Sequence, residues 1–259
     1  MPENPFEAPE NDGPESAVAA TARKSPIVGF VIVIVAALIL IFGILVLPIF
    51  RRNPELVHRT QCRNNLKKIA RALNDYEQEH GSLPPAYTVD AEGRPLHSWR
   101  TLILPHLDQK ALFDSIDLTK PWDDPINADA LKTDLQVYRC PSARRQIPIG
   151  NTTYLAVVGE NSGFNPINGR TRNEITDDSG ETLLLIDVPG ERAVPWMAPS
   201  DVDADMLADL SKDTNLQHVG GFQAIMADYS AQFLPVNLPE EDWHSLSTIN
   251  GGDTPKQFE

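Results

Sequence analysis

Histidine, cysteine and closely spaced carboxylates are the side chains here that could bind a metal or move a proton. The six histidines are His58, His80, His97, His106, His218 and His244. None stands in an H-E-x-x-H pair or another ligand spacing, and two cysteines are too few for a four-thiolate zinc site, so the spacing predicts no metal and no cofactor. Asp201, Asp203 and Asp205 imitate the start of a calcium loop, but Met206 and Lys212 occupy the positions that need Gly and Glu. They fit a helix start better, with Ser200 as cap and Val202, Met206 and Leu210 as a buried stripe. Ser162 lies in GENSGF, outside any G-x-S-x-G elbow, and no phosphate-binding glycine loop occurs. His218 precedes Gly220 and Gly221 and could meet Asp228 as a dyad only if the chain between them folded back. The simpler expectation is a histidine that fixes a loop through a backbone hydrogen bond. No catalytic residue is predicted. Cys62 and Cys140 are expected to be free and buried, or, if their domain lies outside the cytoplasm, joined in a disulfide.

The elements that must carry these residues begin with an apolar run. From 27 to 47 the chain reads IVGFVIVIVAALILIFGILVL, without a charge. As a helix it would extend about 31 Å, against a hydrocarbon core of about 30 Å, which predicts a transmembrane helix. A cleaved signal would have a shorter apolar region and a small-residue cleavage site, and here Pro48, Ile49, Phe50, Arg51 and Arg52 follow instead. Residues 1–26, with Pro2, Pro5, Pro9 and Pro14 and five acids, read as a disordered polar tail, and 254–259 as a short second tail. Orientation is two-sided. Arg51, Arg52, Arg59, Arg63, Lys67, Lys68 and Arg71 follow the span, and the positive-inside rule alone would leave the larger part in the cytoplasm.

Residues 53–253 read as one α+β domain. Asn53, Pro54 and Glu55 open a helix, and Cys62, Leu66, Ile69, Leu73 and Tyr76 recur on one face before Gly81 stops it. Its basic residues are expected on a solvated face. Short helices are expected over 97–118, split by Pro105, and another from Asp124-Pro125 through Leu131 and Leu135. Strands are expected at 154–158, 182–186, 222–227 and 231–236, the last two forming a hairpin across 228–230, with the first helix packed on the antiparallel sheet. The net charge of −14 and the sequence pI near 4.8 argue against a nucleic-acid partner.

The segment CRNNLKKIARALNDYEQEHGSLPPA (62–86) resembles the opening of the bacterial family called domain of unknown function 1559. The likeness continues through HSWRTLILPHLDQ, PWDDPIN, YRCPS (138–142), TYLAVVGE, EITDDSGETLLLIDV and VPWMAPSD. HVGGFQAIMADYSAQFL (218–234) carries His218, Gly220, Gly221 and Asp228 at the family's H-x9-D interval, and SLSTINGGD closes it. The resemblance implies a pilin-like protein whose domain lies outside the cytoplasmic membrane, and this is the favoured orientation. It departs from the family twice. Tyr229 replaces the Gly that follows the Asp, so a tight turn must be met differently. The prepilin signature keeps Gly29-Phe30 but has Ile34 where the family has Glu, and the chain is therefore expected to stay uncleaved. Together these readings describe a non-catalytic, single-pass, pseudopilin-like envelope protein whose partners are the bilayer and envelope or secretion-system proteins. A tethered extracytoplasmic ligand-binding or sensory module is the alternative.

Overall fold

The computed structural model describes residues 26–51, 54–144, 146–210, 212, 215–252 and 255. The chain divides into two units, residues 1–52 and 53–259. The polar tail expected over 1–26 lies almost wholly outside the described residues, as does the tail expected over 254–259.

In the first unit one helix, α1, spans Pro26–Arg51. No proline interrupts it between Pro26 and Pro48, so every backbone N–H in that stretch is free to join the helical ladder. Side chains from Phe30 to Leu45 are described without a gap, and Phe30, Ile32, Leu38, Phe42 and Leu45 are all more than half exposed. Among the described residues no helix is long and apolar enough to cross a membrane. Val28, Val46 and Leu47, which complete the predicted span, have no described side chains.

The second unit is α+β. Helix α2 spans Pro54–His80, and its stripe is as the sequence predicts, with Cys62, Leu66, Ile69 and Leu73 fully buried. Gly81 ends it in a left-handed conformation (φ 80°), its N–H donating to the carbonyl of Glu77 at 2.7 Å. Asn53, the expected cap, lies outside the described residues. A small hairpin, β1 (Tyr87–Val89) and β2 (Pro95–Ser98), leads into α3 (Trp99–Leu102), a 3-10 turn at Leu104–Leu107 and α4 (Lys110–Phe113). The Asp124 carboxylate caps a turn at Pro125–Asn127 by accepting from the Ile126 N–H, and α5 (Ala128–Leu131) follows. This helix stops short of Leu135, which is buried in the next loop.

The main sheet is formed by β4 (Tyr154–Ala156), β5 (Leu183–Asp187), β7 (Gly221–Met226) and β8 (Ala231–Pro235) in the order β4-β5-β7-β8, antiparallel throughout. A second pair joins β3 (Asn151–Thr152) to β6 (Val194–Pro195). Alternation assigns the two faces of the sheet. Tyr154, Ala156, Leu185 and Ile225 share one core with α2. Leu155, Ile186, Phe222, Ala224 and Met226 share the other with α6 (Ala204–Leu210) and α7 (Glu240–Ser247). A register shift between Leu183 and Leu185 puts the neighbours Leu184 and Leu185 in the same core. The sheet is thus covered on both faces, and a helix on one face was all the sequence reading supplied.

The helix at α6 differs in detail. Asp203, not Ser200, accepts from the Met206 N–H at 2.8 Å. Its buried residues are Leu207 and Leu210, while Met206 faces outward. The reason lies in Asp201, whose side chain turns inward to Arg100, so the helix starts three residues later than expected.

Candidate functional site

Four separated side chains converge where α2 crosses the end of the sheet. Cys62 comes from the buried stripe of α2, and Asp187 is the last residue of β5, an otherwise apolar LLLID strand. Cys140 lies in the loop after the 3-10 turn at Gln136–Tyr138, and His218 in the approach to β7. Gly220 (φ 90°) supplies the left-handed turn that sends the chain from His218 into the strand. At Gly221 the opposing strand comes so close that a Cβ would stand 2.0 Å from the Leu234 carbonyl oxygen. The two glycines of the sequence motif therefore do different jobs, one for conformation and one for close approach.

The four side chains are between 0 and 2% exposed. The Cys62 thiol donates to Asp187 Oδ2 at 3.0 Å, and His218 Nε2 lies 3.5 Å from both Cys140 Sγ and Asp187 Oδ2. One donor atom from each residue lies within 4.8 Å of the other three. A surrounding layer holds the atoms that face away. His218 Nδ1 meets Glu55 Oε1 at 2.7 Å, and Glu55 Oε2 accepts from Ser142 Oγ at 3.1 Å. Asp187 Oδ1 accepts from Thr153 Oγ1 at 2.5 Å, and the Tyr154 hydroxyl donates to Cys62 Sγ at 3.4 Å.

Burial pushes the Cys62 thiol well up. The hydrogen bond with Cys62 holds Cys140 down despite its own burial. Burial alone would lower His218, but the hydrogen bonds and charges of Asp187 and Cys140 push it up to about 10. Soft sulfur, imidazole and carboxylate together are a ligand set for a borderline divalent cation. No ligand spacing along the chain marks this set, because the fold assembles it from positions up to 156 apart, Cys62 to His218. Glu79, His80 and His106 also come within 4.8 Å of one another, but at the surface.

Several expectations are corrected here. His218 fixes its loop through Glu55 and the cluster, side chain to side chain. Asp228 stands at the far end of β7 from His218, so the pair forms no dyad; its carboxylate accepts from the Ser230 N–H at 2.8 Å in the β7–β8 turn. Tyr229 itself takes the left-handed conformation (φ 67°) where the family's glycine would stand. Cys62 and Cys140 are brought together, as the disulfide expectation required, and both are free thiols. Gly29, Phe30 and Ile34 lie in the first turns of α1, away from this site in sequence. Sequence reasoning missed Asp187 and Glu55. The signal for Asp187 was a charge closing an apolar strand, and Glu55 was read only as an acid suited to a helix start.

Two surface depressions, of about 600 and 650 Å³, are open to solvent. Lys68, Arg71, His106 and Asp134 line one, and Arg59, Arg63, Lys67 and Phe233 the other. Arg59 lies over the Phe233 ring at 3.5 Å, and Arg63 donates to the Ala231 carbonyl. The basic face of α2 is therefore partly engaged with β8 as well as solvated.

The fold and the cluster define an α+β domain in which a helix, a loop and a sheet meet at a buried set of ligand-type side chains. The chain belongs to the family described as protein of unknown function DUF1559, whose model matches residues 58–193. Cys62, Cys140 and Asp187 fall within that match, and His218 and Glu55 lie outside it. No curated protein and no solved structure matches the chain.

Proposed function

We propose that this protein is a non-catalytic, pseudopilin-like component of the bacterial cell envelope, anchored in the cytoplasmic membrane by the apolar run 27–47 with its α+β domain on the outer side. The observation that carries this reading is the helix Pro26–Arg51, whose described side chains from Phe30 to Leu45 are all apolar and almost all exposed to a degree that water would penalise. An α-helix with an uncharged run of that length fits a bilayer, which would cover the faces now bare. Support for the outer side comes from the family resemblance, since long domains translocate despite basic residues near the span. The partners are lipid and other envelope or secretion-system proteins.

As an anchor the protein differs from a pilus subunit. An intramembrane Glu in a pilin-like helix is tolerated when a neighbouring amine pairs with it. Ile34 offers no such carboxylate, so cleavage after Gly29 would leave a new ammonium at Phe30 without this partner. Retaining the residues ahead of Gly29 avoids that cost. Intact-mass analysis of protein purified from its native membrane should give a chain that still includes those residues. A chain beginning at Phe30, recovered in sheared filaments, would refute the fixed-anchor reading.

A further inference from the structure

We propose that Cys62, Cys140, Asp187 and His218 bind one zinc ion in a closed, structural site. The inference is independent of the membrane reading, because all its residues lie in the second unit. With Zn–S near 2.3 Å and Zn–N or Zn–O near 2.0–2.1 Å, the donors of a tetrahedron stand roughly 3.3–3.8 Å apart. The two separations of 3.5 Å lie inside that range and the one of 3.0 Å just below it, so small side-chain shifts suffice to admit the ion.

The surrounding layer is the second argument. A metal-binding histidine donates its other ring N–H to a carboxylate, which fixes the tautomer and leaves a lone pair facing the metal. His218 has that arrangement, with Nδ1 on Glu55 and Nε2 turned to the cluster. Asp187 likewise has Oδ1 held by Thr153 and Oδ2 turned inward. An incidental cluster has no reason to orient one atom inward and engage the other outward at two ligands.

The charges balance through proton release. Zinc binds as a dication, the Cys62 and Cys140 thiols enter as thiolates, Asp187 as carboxylate and His218 as neutral imidazole. Protons carried by these groups beforehand leave to solvent, and no electron is transferred. Four protein donors fill the tetrahedron and all four are buried, so no position remains for a substrate or an activated water. The ion would pin α2, the Cys140 loop, β5 and the start of β7 to one another. Bound thiolates and a disulfide between the same two cysteines exclude each other.

The test is metal analysis of the full chain purified in detergent without chelator. One zinc per chain is expected, and cobalt substitution should give thiolate-to-cobalt charge-transfer absorption that is lost in Cys140→Ser. Because loss of Cys140 can also impair folding, Glu55→Gln supplies a milder test: Glu55 is partly exposed, meets His218 at the ring nitrogen that faces away from the cluster and otherwise holds Ser142. It should keep the native circular dichroism and bind zinc about 10–100-fold more weakly. Absence of stoichiometric zinc with no uptake of added zinc, a Cys62–Cys140 disulfide in protein from cells, a different stoichiometric metal, or unchanged zinc affinity in Glu55→Gln would each overturn the assignment.

Discussion

Arg100 and Asp201 sit side by side out of water, with a 2.5 Å contact between Nη2 and Oδ1 and side chains 0 and 4% exposed. Trp99 Nε1 and the Ala156 N–H also donate to Asp201 Oδ1, at 3.2 and 2.7 Å. Burial raises the Asp201 carboxyl against the opposing pull of Arg100 and these donors. The two ways of breaking the pair are therefore unequal. Asp201→Asn strands a guanidinium that cannot lose its proton and should cost about 3–5 kcal/mol. Arg100→Met strands a carboxylate that can protonate. A carboxyl whose folded pKa is raised favours the native state below its unfolded value near 3.9, and the advantage is lost as pH rises through the folded value. The stability deficit of Arg100→Met should thus shrink on acidification, and that of Asp201→Asn should not. Urea melts of both variants and the parent at acidic and neutral pH decide this. Neither residue was legible as a partner in the sequence, because one hundred and one positions separate them. Cys62 was legible as core from its helical spacing, but not as a neighbour of Asp187, since periodicity assigns a face and says nothing about what that face meets.

At the scale of elements, the turn between β7 and β8 shows how a departure from a family pattern is absorbed. A left-handed Tyr229 costs on the order of 1–2 kcal/mol relative to glycine. Its hydroxyl donates to Glu77 Oε2 at 2.8 Å, Arg172 binds the same oxygen at 2.9 Å, and the Arg172 guanidinium lies 5.0 Å from the Tyr229 ring centre. The side chain that strains the turn thereby docks the hairpin on α2. Tyr229→Phe keeps the strain and loses the hydrogen bond, and should destabilise the domain by about 1–2 kcal/mol in a urea titration; no loss would mean that the strain is offset elsewhere. The strands themselves were readable to within a residue or two at most ends, because β4, β5, β7 and β8 are short apolar runs bounded by Gly, Asn, Asp and Pro. What escaped was the second covering layer. Helix α7 (EEDWHSLS) has only Trp243 and Leu246 to mark its apolar face, and a run this short carries little periodic signal.

For the whole molecule, the account joins an apolar helix to a two-sided α+β domain with a net negative charge. The domain's class and its opening helix were evident from sequence, and the family match over 58–193 supports the resemblance drawn from the same blocks. The buried cluster was not evident, because its ligands are brought together by tertiary folding and no local motif announces them. Membrane attachment and export are the central claim, and protease digestion of intact spheroplasts tests it most directly. The account predicts that external protease degrades the domain beyond residue 55 while the fragment around α1 stays with the membrane. Protection of the domain in intact spheroplasts, with cleavage only after lysis, would contradict it.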